Sequence, residues 1–474
     1  MLLFHARPGR FPNPACAATS AAMLLPADSR AEMRRILALA WPVVLTSLNW
    51  TILHVTDVVV VGLVSTHEVA ALGASRTLTY IGIVMALGWL TGILVFASRA
   101  DGADDLPATG AVLHQGMVLG LILGLVSGGV LFAFAYPMLI GVGVDPGIAP
   151  EAARIVQTMA LAYPFQLVMI AASFFLEGVS RPRRVMVVNL AILPINAVLA
   201  WVLATGQFGL PAMGAVGAAA ATVTATVIGA VAMVAAALTL PRAVERGVRD
   251  WRDFGRPTMW RGVVALMGFG LVPALASGLE LAGFSILIAL STQLGESVTH
   301  AFQIVFSVHN VTFSFALGLG SAAGIRAGNA VGEGVPAEAG PRTALAAGLA
   351  AIILGLLAIP LSFAPMLAVE GFPASREVAL LAAAMLGIWA PFILFDGLQV
   401  VFVYALRSLG DQVVAGVNGI LSFFVLTGAL GLWTVHAGWG AMGLVWASAA
   451  GMVAAALLHG TRLWIVTRRL RRKS

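Results

Sequence analysis

Charged residues are scarce in this chain. Only 10% of its 474 residues are Asp, Glu, Lys or Arg, whereas 60% are hydrophobic. A soluble globular domain carries roughly 25% charged residues, so this composition is too poor in charge to cover a water-facing surface. The sequence therefore predicts an integral membrane protein, most of whose surface faces lipid.

Cysteine and lysine are almost absent. The single cysteine, Cys16, excludes an internal disulfide and a cysteine-based metal cluster. Lys473 is the only lysine, so arginine supplies all the other basic residues, and the net charge is +6. The arginines fall in short loops and near the C-terminus, which indicates orientation in a membrane. No nucleic-acid partner is expected.

Long apolar runs, in contrast, are abundant. A helix needs roughly 20 apolar residues to cross the hydrocarbon core, and irregular backbone cannot face lipid. The qualifying stretches are about 36–63, 69–97, 111–136, 153–177, 185–206, 213–239, 261–292, 299–325, 343–365, 378–405, 413–435 and 440–464. We therefore predict an all-α integral membrane protein with twelve transmembrane helices.

The arginines divide unevenly between the two sides of the membrane. If the spans alternate, one side receives the basic residues around 30–35, 181–184, 242–256 and 468–473. The other side receives Arg76, Arg154 and Arg376. Because cytoplasmic loops carry the excess of basic residues, both termini are predicted to be cytoplasmic.

The chain resembles itself at an offset of about 229 residues, where EGVSRPRRVMVVN, ending at Asn189, aligns with LRSLGDQVVAGVN, ending at Asn418. Two copies of six spans insert with the same polarity, so we predict two pseudo-symmetric six-helix lobes related by an axis along the membrane normal. Secondary transporters are commonly built from such repeats, with binding sites near the midplane.

This repeat sets the predicted domain organisation. We expect a disordered N-terminal tail, a first lobe, a cytoplasmic linker, a second lobe and a basic cytoplasmic tail. Their boundaries are 1–29, 30–240, 241–259, 260–465 and 466–474.

Three acidic residues lie deep in predicted spans: Asp57, Glu280 and Asp396. A charged side chain at the bilayer centre costs about 2.5–3.5 kcal/mol on insertion scales, and burial disfavours the charged form of a carboxyl group. No Lys or Arg is expected within the spans to pair with them. Each acid is therefore predicted to bind a cation or a proton; the alternative is a structural hydrogen bond between helices.

Other polar residues are predicted to support these acids. Asn196 on the fifth span is a candidate partner for Asp57, with a helix–helix hydrogen bond as the alternative. Gln303, Asn310 and Gln399 are predicted to line a path through the spans. His309 is expected to be a buried histidine with satisfied hydrogen bonds, and Glu177, at the end of the fourth span, is expected to reach the interface.

Several prolines lie inside predicted spans. Each removes a helix hydrogen bond and can kink its helix. Pro273 lies two turns before Glu280, and Pro391 lies five residues before Asp396. We take Pro42, Pro273 and Pro391 as hinge candidates; Pro164 is also within a span.

At these residues the chain resembles the multidrug and toxic compound extrusion (MATE) family, NorM-like branch. The similar segments are LALAWPVVLTSL, TDVVVVGLVSTHEVAALG with Asp57, GLELAGFSILIALSTQLGESVTHAFQI with Glu280, FALGLGSAAGIRAGNAVGEG, and FDGLQVVFVYALRSLGD with Asp396. The resemblance covers about residues 30–465.

The resemblance implies a secondary active exporter in the bacterial cytoplasmic (inner) membrane. Organic cations or amphipathic toxic compounds would leave by antiport against Na⁺ or H⁺ through alternating access. Glu280 and Asp396 match the second-lobe acids that bind the coupling cation or the drug, Asp57 matches the first-lobe acid, and Asn196 its polar partner. One turn after Asn196, where such members often carry a second polar residue, this chain has Ala200.

The same resemblance implies no cofactor and no structural metal, with Na⁺ binding only transiently at the three acids. The expected partners are small-molecule drugs and membrane lipid, and the chain is expected to be a monomer. Two alternative functions fit the sequence less well. A flippase for a lipid-linked substrate would need several mid-span arginines for phosphate. An enzyme is not expected, because no H-E-x-x-H or G-x-S-x-G motif occurs.

Overall fold

The computed structural model describes residues 28–252 and 254–472, and these are almost entirely helical. The first half contains α1 (Ser29–Gly62), α2 (Thr66–Gly102), α3 (Leu106–Gly141), α4 (Ala149–Ala160), α5 (Tyr163–Gly178), α6 (Pro182–Thr205) and α7 (Gly214–Leu238). The second half contains α8 (Pro257–Gln293), α9 (Glu296–Gly332), α10 (Ala339–Phe363), α11 (Met366–Val369), α12 (Arg376–Trp389), α13 (Ile393–Ser408), α14 (Gln412–Gly419), α15 (Gly428–His436) and α16 (Gly440–Arg471). The predicted all-α fold is confirmed.

The predicted count of twelve spans is also confirmed. Eleven helical stretches among the described residues are long and apolar enough to cross a membrane. The twelfth span is the pair α4–α5, whose two segments are bent by 49°. Two of the eleven are composite, because α12 and α13 form one span and a π-helix (Ile420–Thr427) joins α14 to α15.

Prolines mark the breaks in two equivalent spans, the fourth and the tenth. Pro164 follows the bend between α4 and α5, and Pro391 lies in the 3₁₀ turn between α12 and α13. Proline lacks the backbone N–H that would continue the helix. The other two hinge candidates, Pro42 and Pro273, lie within continuous helices, α1 and α8.

The two ends of the described chain are helical. The Asp28 carboxylate accepts a hydrogen bond from the Ala31 N–H at 3.1 Å and so caps α1. Most of the predicted N-terminal tail, residues 1–27, lies outside the described residues. At the other end, α16 continues to Arg471, so the basic stretch after residue 466 extends the last span as a helix.

The apolar core of the first half extends onto Met259, Val263 and Leu266 of α8, and the second half has a core of its own. A further buried cluster joins the two halves. That cluster combines Ile36 and Leu39 of α1 with Leu94 of α2 and Leu319 of α9. The halves also approach closely where α2 crosses α8: a Cβ on Gly88 would lie 2.6 Å from the Pro273 carbonyl oxygen. Gly88 therefore permits backbone contact between the halves.

Polar contacts between the halves cluster at the end of the bundle where α1 begins and α2 and α9 end. Arg326 donates to both oxygens of Glu32 at 2.6 and 2.8 Å. The Asn329 amide donates to the Ser98 carbonyl at 2.8 Å. Arg99 donates to the Ser408 carbonyl at 2.7 Å. We call these six residues the interhalf clasp.

Candidate ion and substrate site

Asp57 is enclosed in the first half. It lies on α1, and its residue is only 4% exposed. The Asn196 side chain, on α6, donates a hydrogen bond to Asp57 Oδ1 at 3.0 Å. Ala200, one turn further along α6, is fully buried. The structure thus brings Asn196 to Asp57, two residues that are 139 positions apart in sequence.

Arg76 on α2 also approaches Asp57. Its Nη2 lies 3.8 Å from Asp57 Oδ2 and donates to the His54 carbonyl at 3.1 Å. The expectation that no basic residue lies within the spans is therefore wrong. Arg76 falls inside the predicted span 69–97, so the sequence already placed a basic residue within a span. Grouping Arg76 with the loop arginines hid this signal.

Glu280 and Asp396 lie in the second half, on α8 and α13. Asp396 is 3% exposed and accepts a hydrogen bond from the Gln399 amide at 3.3 Å. Glu280 is half-buried and acts on Asp396 electrostatically. Its carboxylate occupies the space beside Gly419 on α14, where a Cβ would collide with Glu280 Oε1. These two acids form one site, separate from Asp57.

Arg407 and Arg326 are also buried, each 7% exposed. Arg407, on α13, acts electrostatically on Glu280, and no hydrogen-bond partner is described for its Nε. The predicted spans ended at 325 and 405, but α9 continues to Gly332 and α13 to Ser408. Packing against neighbouring helices keeps these last turns helical and buried, and this context is invisible to a local hydropathy window.

His309 on α9 lies in an aromatic enclosure beside Asp396. Its Nδ1 is 3.8 Å from Asp396 Oδ2 and has no hydrogen-bond partner. The expectation of a satisfied histidine is therefore wrong. Ring centroids surround the imidazole at 4.9 Å for Trp389, 5.5 Å for Phe313, 5.7 Å for Phe306 and 5.9 Å for Phe284.

Two predicted path residues do not join the acids. Gln303 is exposed and lines a shallow cavity of about 270 Å³ near the start of α9, with Thr292, Glu296, Thr299 and His300. Asn310 is half-buried, and its described hydrogen bond is the one that its backbone carbonyl accepts from Ser314.

Glu177 is buried at the contact between the halves. It is 6% exposed and accepts a hydrogen bond from the Ser321 hydroxyl of α9 at 2.8 Å. The expectation that it reaches the membrane interface is wrong. The end of α5 packs closely against α2, since a Cβ on Gly178 would lie 2.7 Å from the Ala97 Cβ, and this holds Glu177 inside the bundle.

Two six-span halves with enclosed carboxylates in both define a class of protein, the helical membrane transporters of two-lobe construction. The MatE family model matches the chain twice, at residues 42–202 and 273–433. The chain therefore belongs to the MATE family of multidrug and toxic compound extrusion transporters. The double match also reproduces the internal repeat, since it begins once in each half.

Relatives place the chain in the NorM-like branch. It is 31% identical over 429 residues to the probable multidrug resistance protein NorM of Burkholderia pseudomallei (strain K96243), covering 89% of this chain and 90% of that one. It is 26% identical over 445 residues to the multidrug resistance protein NorM of Vibrio cholerae, covering 91% and 95%. A solved multidrug resistance MATE family transporter, described as outward-facing, shares the fold with a TM-score of 0.84 at 17% identity, covering 93% and 96%.

Proposed function

We propose that this protein is a secondary active multidrug exporter. It exchanges organic cations or amphipathic toxic compounds for Na⁺ or H⁺ by alternating access. The observation that carries the proposal is that Glu280 and Asp396 lie close together inside the second half. Phe284, one turn after Glu280, packs on His309 with ring centroids 5.9 Å apart, and His309 Nδ1 lies 3.8 Å from Asp396 Oδ2. The names of the relatives, multidrug resistance proteins, agree with this substrate class.

The exchange follows from competition for these carboxylates. An ionised carboxyl group in a low-dielectric interior attracts a cation strongly. A drug cation and a coupling cation cannot neutralise the same charge together, so binding of one favours release of the other. This differential affinity is what shifts the equilibrium between two conformations.

The position of the interhalf clasp supports a proposal for which side of the membrane is closed in this conformation. The basic residues near both termini lie at the clasp end, and the positive-inside rule assigns such an end to the cytoplasm. With both termini cytoplasmic, the clasp closes the cytoplasmic side. This conformation is then the one that releases drug outward and takes up the coupling cation.

Efflux of ethidium from cells tests the proposal. Glu280→Gln and Asp396→Asn should each abolish efflux without reducing the amount of protein in the membrane, because the charge that binds cations is lost. Glu296→Gln is the matched control, since it makes the same chemical change at an exposed acid of α9. Wild-type efflux in both acid variants would refute the site assignment, and no efflux by the wild type would refute the function.

A further inference from the structure

We propose that Asp396 and His309 bind one proton between them, and that this proton is the coupling ion in the second half. The inference rests on the proposed antiport and adds the identity of the ion. It also makes His309 a positioning residue for the proton on Asp396.

The geometry of the pair supports a shared proton. Asp396 Oδ2 and His309 Nδ1 are 3.8 Å apart. Nδ1 is buried without a hydrogen-bond partner, and a buried polar atom in that state is costly. A modest rotation of either side chain would bring the atoms within 3 Å or so, the distance of a hydrogen bond. One proton between them would then satisfy the imidazole and neutralise the carboxylate.

Apart from the Glu280 carboxylate, the groups described beside Asp396 present nitrogen and carbon rather than oxygen, which disfavours Na⁺. Hard metal cations are held by several carboxylate, carbonyl or water oxygens. Asp396 instead faces an imidazole nitrogen and the Gln399 amide, whose N–H₂ group donates to Asp396 Oδ1. The next layer around His309 is aromatic carbon from Phe284, Phe306, Phe313 and Trp389. A proton needs no such coordination shell.

The other charged groups of the neighbourhood are few. Glu280 on α8 acts on Asp396, and Arg407 on α13 acts on Glu280. Tyr404 is a further titratable group on α13. Other ionisable side chains of the neighbouring helices have partners of their own: Asp57 has Asn196, Glu177 has Ser321, Glu32 has Arg326, Arg99 has Ser408, Arg342 has Glu333, and Arg462 has Asp411. Glu280 is therefore the charged group that acts most directly on the pair.

A proton on this pair would control drug binding directly. With the proton bound, the pair is neutral and no longer attracts an organic cation. Without it, the Asp396 carboxylate is negative and lies beside aromatic rings, whose faces attract organic cations. Proton entry would thus expel the drug.

The wild-type protein provides the first test. Purified protein in detergent, at weak buffering and with a pH indicator, should release about one proton for each tetraphenylphosphonium bound. Replacing KCl by NaCl should leave the binding unchanged. Binding without proton release, or displacement of tetraphenylphosphonium by Na⁺, would overturn the inference.

The second test removes the imidazole. In His309→Gln the pair should bind its proton about tenfold more weakly, because the second base is gone. The pH at which protons displace half the tetraphenylphosphonium should then fall by about one unit. His459→Gln is the matched control: His459 is also a buried histidine whose Nδ1 has no hydrogen-bond partner, but its Nε2 lies 2.9 Å from the Ala415 carbonyl oxygen rather than beside a carboxylate.

The outcomes separate the two proposals. Retained binding of His309→Gln at alkaline pH shows that the variant is folded, and an unshifted midpoint would then refute the shared proton. If His309→Gln fails to fold, proton release by the wild type still decides. In proteoliposomes, flux driven by a Na⁺ gradient alone would overturn this inference and leave antiport intact. Absence of flux under either gradient would overturn both.

Discussion

At the scale of single residues, the two buried acids Asp57 and Asp396 have different surroundings. Asp57 has an amide and a guanidinium beside it, whereas Asp396 has an amide and an unpartnered imidazole. The sequence showed which acids interrupt apolar runs, because a carboxyl group in a hydrocarbon layer is conspicuous. It did not show their partners, because Asn196 and Arg76 reach Asp57 from other helices. Those contacts depend on helix packing, which no local pattern records.

Gly419 is a further residue whose role only the packing shows. Gly419→Ala should lower the affinity for tetraphenylphosphonium about tenfold, because the new methyl group takes the place of the Glu280 carboxylate. The change should not unfold α14, since Gly419 has helical backbone angles, φ −62° and ψ −47°, at which Ala favours the helix. Equilibrium binding and thermal unfolding would measure both effects.

Gly268→Ala is the control for this substitution. It lies on the same helix as Glu280, and a Cβ there would meet no atom within 4 Å. Its affinity should remain that of the wild type. Equal affinities for both variants would show that the Glu280 carboxylate is not seated against Gly419.

At the scale of helices, hydropathy located the spans but not their irregularities. The π-helix Ile420–Thr427 begins immediately after Gly419, beside Glu280, and nothing in the residue pattern of ILSFFVLT predicts it. π-Helical turns are rare and often occur at functional sites. The breaks at Pro164 and Pro391 were more visible, because proline has a defined effect on a helix. Whether a given proline breaks its helix still depends on packing, as continuous α1 and α8 show.

The interhalf clasp makes a prediction at this scale. Arg326→Ala leaves Glu32 buried and unpaired, a loss that typically costs 3–5 kcal/mol or so. The halves should then separate more often at the clasp end. In a Cys16→Ser background, a cysteine in place of the fully buried Ala322 should react faster with maleimide when Arg326→Ala is added.

Arg342→Ala provides the comparison. It removes an ion pair of the same short distance, 2.6 Å to Glu333, but both partners lie in the second half. Its labelling rate should match that of the parent protein. Slow labelling in Arg326→Ala as well would contradict a role of the clasp in closing this end.

At the scale of the whole molecule, the internal repeat predicted two halves, and the two matches to the family support this division. How the halves meet was not predictable. The small residues of GSAAGIRAGNAVG resemble the family but do not show what they contact, and in the structure α9 packs there directly on α1 and α2. Arg326 was assigned to no span and proved to be the centre of the contact. The site residues were thus identifiable individually, while the surface between the halves required the fold.

Covalent closure of this surface should stop the transport cycle. In the Cys16→Ser background, Ser98→Cys with Gly328→Cys places two thiols across the halves, since a Cβ on Gly328 would lie 3.0 Å from the Ser98 Cβ. A separation of about 0.5 Å between the two helices brings this pair into the Cβ–Cβ range of a disulfide. Oxidation should abolish drug efflux, and reduction should restore it. The single-cysteine variants should be insensitive to oxidant. Efflux by the oxidised double variant would exclude opening at this end.

The choice of charged groups for this contact affects how readily it reopens. Taking ions out of water is costly, so a buried ion pair contributes little net stability. When Glu32 and Arg326 part and water enters, each regains its hydration. If both surfaces of this contact were apolar, they would stay in contact, because exposing apolar surface to water is unfavourable. An ion pair can therefore close this end of the bundle and still leave the closed and open conformations close in free energy. A transporter that cycles repeatedly between the two conformations requires such a small difference.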